Sequence, residues 1–130
     1  MVKDKVYAPD WTKTERLDYT LRLIQILATL LPEDIDGGIS TVPFSYKPWC
    51  HNSEERGKVL HQGSLHLARA IAQMAEVYQS TGKLIHIDLE PEPDGMLENS
   101  QEMIDFFHNW LLPVGQQWLS EHLDLSLIHI

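Results

Sequence analysis

Lys83-Leu84-Ile85-His86-Ile87-Asp88-Leu89-Glu90 is the stretch that decides the fold. Ile85, Ile87 and Leu89 alternate with His86, Asp88 and Glu90, the period-two pattern of a strand with one face on a core. The apolar set suits a face covered by helices. The polar set cannot lie under a second helix layer without partners, because burying unpaired carboxylates is costly. It fits the inside of a barrel near the mouth, where charges meet each other, water or a metal.

Upstream, Gly38-Ile39-Ser40-Thr41-Val42-Pro43-Phe44 reads as a second strand. A long helical segment separates the two, so they cannot form a hairpin and must run parallel through a crossover. That segment opens at Asn52 with Glu55 three residues on, a side-chain cap, and ends at Gly82, which suits a left-handed position. Another cap pairs Asn99 with Glu102, and Pro113 and Gly115 are expected to break the helix that follows. A short further turn is expected near 116–123. The first helix is expected to start at Thr12, with Thr12 and Glu15 as a capping box, and to stop at Pro32. The pattern predicts helices over 12–31, 53–80 and 100–112 and strands over 38–44 and 83–90. Alternating α and β with parallel strands points to an α/β fold of the (β/α)-barrel type. A complete eight-fold barrel needs roughly 250 residues, and these elements amount to about three βα units of it. The expectation is a fragment.

The balance of 10 Lys and Arg against 19 Asp and Glu gives a net charge of −9. Phosphate-tracking surfaces need clustered cations, so nucleic acid is not an expected partner, and neither is an anionic membrane surface. No apolar run is long enough to insert in a bilayer. The single cysteine, Cys50, cannot form an internal disulfide, and the first residues lack an apolar export segment, so a cytoplasmic protein is expected.

Glu90-Pro91-Glu92-Pro93-Asp94-Gly95, with Glu98 behind it, is the densest acidic cluster. It lies where the second strand ends, the active-site side in parallel α/β proteins. Prolines at alternate positions hold the backbone extended and fix where the carboxylates aim. Such carboxylates suit Mg²⁺, Mn²⁺ or Zn²⁺, or acid–base work beside one; the plain alternative is a solvated acidic turn. Glu90 is the catalytic candidate because strand register turns it inward, and Glu90 with Glu92 are the metal-ligand candidates. Ser45-Tyr46-Lys47-Pro48-Trp49 follows the first strand on the same side. There Lys47 can meet an anionic substrate group, and Tyr46 or Trp49 can wall an apolar or sugar-like ring; otherwise Pro48 simply pins a loop over Trp49. Trp11 reads as a packing anchor, His86 as a hydrogen-bonded core histidine and Cys50 as structural.

The stretch 39–49 (Ile39-Ser40-Thr41-Val42-Pro43-Phe44-Ser45-Tyr46-Lys47-Pro48-Trp49) and the stretch 86–99 (His86-Ile87-Asp88-Leu89-Glu90-Pro91-Glu92-Pro93-Asp94-Gly95, then Leu97-Glu98-Asn99) resemble the metabolite traffic protein EboE family. The resemblance runs from about Trp11 to about His122. It implies a xylose isomerase-like TIM barrel, akin to sugar phosphate isomerases and epimerases, acting on a small polar metabolite. It also implies a divalent metal (Mn, Mg or Zn) in the full-length protein, held at the strand-end glutamate, here Glu90. The other ligands, an Asp, a His and a second Glu, would arrive on later strands. A branch of that superfamily cleaves DNA at abasic sites; the acidic balance argues against it. Residues 1–124 are thus expected to be a central barrel fragment. Leu125-Ser126-Leu127-Ile128-His129-Ile130 leave the family pattern and match a translated transposase-adapter end used in sequencing libraries, so 125–130 are expected to be non-native. Two rival readings are a non-catalytic metabolite-binding or transport-associated barrel protein and an independent α/β binding module. The fragment itself is expected to be inactive and poorly soluble, with its substrate, metal and oligomeric state left open.

Overall fold

A computed structural model describes residues 2–123. The chain runs through α1 (Val2–Lys5), α2 (Thr14–Leu30), β1 (Gly37–Thr41), a 3₁₀ turn (Lys47–Trp49), α3 (Ser53–Thr81), β2 (Ile85–Leu89), α4 (Ser100–Phe106), a π-helical turn (Phe107–Leu111) and α5 (Leu112–His122). β1 and β2 pair in parallel, with Gly38 opposite His86, Ile39 opposite Ile87 and Ser40 opposite Asp88. The crossover between them is α3. The protein is mixed α/β, and the alternation in β2 lands as its pattern predicts: Ile85 is buried, while His86 and Asp88 are exposed.

Both long helices cover the same face of this pair. Leu17 and Ile24 of α2 and Ala70 and Val77 of α3 share one core with Ile39 and Ile85. α2 runs antiparallel to β1: its entry is tied to the strand's exit by Trp11 N–H donating to the Phe44 carbonyl, 2.9 Å, and Leu27 and Leu31 near its far end pack against Gly37. Lys83 Nζ closes that far end on the Ala28 carbonyl at 2.7 Å. A second core gathers at the carboxyl ends of the strands, from Trp11, Phe44, Leu67, Met96, Leu97 and Phe106. Phe44 reaches α3 there because residue 63 is glycine; a Cβ would lie 2.7 Å from its ring.

The Asn caps form as their spacing predicts. Asn52 accepts from Glu55 N–H and Asn99 from Glu102 N–H, each at 2.9 Å. Gly82 takes the left-handed φ of 74° at the end of α3. The Thr12 capping box does not form. Asp10 takes both the Thr12 amide and its hydroxyl, so α2 begins two residues later, behind Lys13, with no side-chain cap.

Pro113 and Gly115 do not end the helix. Leu112 N–H bonds to the Phe107 carbonyl, five residues back, and the widened turn hands Pro113 to the first turn of α5, where a missing N–H is tolerated. Gly115 is buried against Ala68 of α3, a helix contact instead of a breaker. The strands are also shorter than the 38–44 and 83–90 of their patterns, at Gly37–Thr41 and Ile85–Leu89, and beyond Thr41 the chain folds into tight turns at Phe44 and Ser45. The adapter-like 125–130 fall outside the described residues.

Asn52→Ala is expected to lower stability by about 1 kcal/mol, whereas Lys13→Ala stays within about 0.5 kcal/mol of the parent. Urea unfolding followed by circular dichroism checks the contrast, and equal losses would show that the Asn52 cap adds no stability of its own.

Candidate functional site at the carboxyl ends of the strands

Three segments meet where the strands end: 4–12, 42–50 and 90–98. The link after β1 is tightly folded, with Phe44 N–H on the Val42 carbonyl and Ser45 N–H on the Pro43 carbonyl. Phe44 holds φ at 73°, a conformation costing roughly 1–3 kcal/mol for a side chain of this kind. Its ring offsets that cost by full burial, 4.6 Å edge-on to Phe106 and 6.2 Å from Trp11. The turn aims Ser45 inward, where its hydroxyl donates to the buried Asp10 carboxylate at 2.6 Å.

The acidic loop is sewn to the same place. Tyr46 pairs with Gly95 in an antiparallel bridge, Lys47 N–H donates to the Asp94 carbonyl, and Met96 N–H donates to the Ser45 carbonyl. Tyr7, from the opening segment, donates its hydroxyl to Glu92 at 2.6 Å. Burial first, and then the bond and charge of Glu92, push the Tyr7 phenol well above its usual range.

Glu90 is exposed at the end of β2, its amide on the Thr41 carbonyl, and among the described residues its carboxylate has no side-chain partner. It lines a cleft of about 310 Å³ with Glu92, Ser40, Thr41 and, from α2, Arg16 and Tyr19. Arg16 donates Nε to the Pro9 carbonyl at 2.7 Å and lies 5.8 Å over the Tyr19 ring. Lys47, Tyr46 and Trp49 do not line this cleft. The ammonium of Lys47 is held between Glu98 and Glu102, at 2.9 Å from the latter, and faces a separate cleft of about 180 Å³ beside Arg56 and Trp110. Burial presses the Lys47 ammonium down, but its two carboxylate bonds outweigh that and raise it overall. Tyr46 is buried between Tyr7 and Trp49, and Trp49 is the partly open ring of the pair.

His86 is not a core histidine. Its ring is half-exposed and bonds to Asp88 through Nδ1 at 2.9 Å, because among the described residues no layer lies over that face of the sheet. Among the described residues the buried histidine is His66, held by the Trp11 carbonyl at 2.6 Å and by Gln62. Nothing in the spacing around His66 marks this role, since its partner lies 55 residues away. Tyr7 escapes the sequence for the same reason, with Glu92 85 residues away, and Arg16 because the cleft it lines is completed by residues 40–43 and 90–92. Cys50 is buried, and burial raises its thiol, consistent with a structural role. For a divalent ion, Glu90 offers one free carboxylate while Glu92 is engaged by Tyr7; among the described residues no three His, Cys, Asp or Glu side chains converge as a metal-holding group. No helix among them is long and apolar enough to cross a membrane.

Tyr7 and Lys47 both hold their protons more tightly folded than unfolded. Raising pH past about 10 strips the unfolded chain first and so favours unfolding. The melting temperature is expected to fall steadily above that pH, less steeply in Tyr7→Phe; an equal slope in the variant would remove Tyr7 from the linkage. Compared with known proteins, the chain matches no family model, no curated protein and no solved structure.

Proposed function

We propose that residues 1–124 belong to a partial (β/α)8 barrel of the xylose isomerase-like type, and that the full-length protein performs metal-dependent isomerase- or epimerase-like chemistry on a small polar metabolite. One observation carries this reading. Consecutive helices α2 and α3 cover the same face of a parallel pair, leaving Ser40, His86 and Asp88 bare on the other. In a doubly wound sheet helices cover both faces; in a barrel they all lie outside and the polar side chains turn to the lumen. Glu90 then stands at the mouth.

In that setting the Glu90 carboxylate, unpaired by any side chain among the described residues, either ligates a divalent ion or takes the proton from a C–H beside a carbonyl. The ion's contribution, when bound, is to polarise that carbonyl or hydroxyl. Glu92 is the weaker ligand candidate, since the Tyr7 hydroxyl already occupies one of its oxygens. Lys47, neutralised by two carboxylates, contributes most by locking the loop, and Trp49 is the ring of its motif open to a ligand.

The test is to recover the uninterrupted reading frame from its genomic locus, purify the product and titrate Mn²⁺ by calorimetry. Saturable binding that Glu90→Gln abolishes is the expected result. Binding unchanged in Glu90→Gln would remove Glu90 from the metal site. Absence of Mn²⁺ binding together with tight, unreacted metabolite would favour the carrier reading and overturn the enzyme.

A further inference from the structure

The anionic substrate group expected at Lys47 needs a different cation, since Glu98 and Glu102 already neutralise that ammonium. Arg16 supplies one. It is partly buried near the start of α2 and lines the same cleft of about 310 Å³ as Glu90. Its Nε is taken by the Pro9 carbonyl at 2.7 Å, and its guanidinium lies 5.8 Å from the centre of the Tyr19 ring. Those two contacts orient the fork and leave the N–H donors of Nη1 and Nη2. Among the described residues no carboxylate forms an ion pair with Arg16, although the chain carries 19 Asp and Glu against 10 Lys and Arg. An arginine left unpaired in so acidic a chain, beside a cleft, is open to an anion from solution.

The strand ends give the same cleft Glu90, Glu92, Ser40 and Thr41. Carboxylate and hydroxyl oxygens of this kind accept hydrogen bonds from the hydroxyls of a ligand. One positive charge beside two negative ones balances a monoanion better than the dianion of a phosphate monoester. The volume lies at the small end of ligand sites, which run from roughly 300 to 1,000 Å³. We propose that Arg16 is the specificity-determining anion contact of this cleft, and that it selects a small hydroxycarboxylic acid. The carboxylate sits bidentate on the Arg16 fork and the hydroxyls meet the acidic strand ends. The proposal rests on reading the cleft beside Glu90 as the substrate site, and goes beyond it by naming the group that the ligand must carry.

The test uses the product of the uninterrupted genomic frame and three six-carbon polyols that differ at one end. Gluconate ends in a carboxylate, sorbitol 6-phosphate in a phosphate monoester, and sorbitol is neutral. Calorimetry in buffer containing Mn²⁺ compares the parent with Arg16→Gln and Arg16→Lys. Gluconate is expected to bind at least about 10-fold more tightly than the other two, and Arg16→Gln to weaken it roughly 10- to 100-fold. Arg16→Lys keeps the charge without the fork and is expected to recover only part of that loss. Thermal unfolding of both variants is matched to the parent; if Arg16→Gln does not fold, the partial loss in Arg16→Lys carries the test. Gluconate binding unchanged in both variants, or no gluconate binding by the parent, overturns the proposal. Tighter, Arg16-dependent binding of sorbitol 6-phosphate gives the contact to a phosphate and overturns the carboxylate. Arg16-dependent gluconate binding in a product whose Mn²⁺ affinity is unchanged by Glu90→Gln upholds this contact while the metal site at Glu90 falls.

Discussion

The parallel pairing of β1 with β2 is the constraint from which the remaining architecture follows. Parallel strands require a crossover, and here the 29 residues of α3 supply it. Register then fixes the side chains: Gly37 and Ile39 meet Ile85 and Ile87 under the helices, and Gly38 and Ser40 meet His86 and Asp88 away from them. A slip of one residue would turn the carboxylate and imidazole into the aliphatic layer. Burying the charged Asp88 without a partner there would cost more than the pairing returns. The polarity of β2 therefore protects the register of β1.

The carboxyl ends of the strands are organised by a different physics. Little regular structure reaches this region, and what fixes it is a set of long-range bonds converging on one aromatic core. Trp11 is the hub. Its ring is buried with Phe44, its indole donates to Thr41 at 3.0 Å, its amide binds the Phe44 carbonyl and its own carbonyl binds His66. One residue thus ties the opening segment, the exit of β1 and the middle of α3. Such lacing explains why a φ of 73° at Phe44 persists: the neighbouring contacts determine the backbone more strongly than the local preference does. It also sorts the charged residues. Lys47 and Glu92 are consumed in holding loops together, while Glu90, two residues from Glu92 on an extended backbone, keeps its carboxylate open to the cleft.

The elements legible in the sequence are those whose cause is local. Alternation in 85–89, the Asn caps at 52 and 99 and the glycine at 82 each depend on neighbours within about one turn, and each appears in the structure as its pattern predicts. The departures from pattern share an opposite cause. Thr12 has the spacing of a cap, but Asp10, anchored by Ser45 from 35 residues away, competes for its hydroxyl. Pro113 and Gly115 have the composition of breakers, but α3 offers Ala68 as a seat for the glycine and the π turn absorbs the proline. A strand histidine with an acidic neighbour, such as His86, suits a core; whether a layer lies above it is a property of the whole sheet. At the candidate site the same division holds. The position of Glu90 follows from strand register, whereas the capture of Lys47 by Glu98 and Glu102 depends on where α4 docks.

The surfaces left bare differ in kind, and that difference limits what can meet them. Ser40, His86 and Asp88 make a face that already satisfies part of its polarity, since His86 and Asp88 bond to each other. Water or a polar solute can serve the remaining donors and acceptors at little cost, while an apolar protein layer would strand them. The side of α2 that carries Tyr19, Ile26 and Leu30 is the reverse: exposed and apolar, it gains by excluding water and offers few polar atoms for a solute to recognise. The two surfaces thus differ in chemistry, since water satisfies the first without loss and only apolar contact relieves the second.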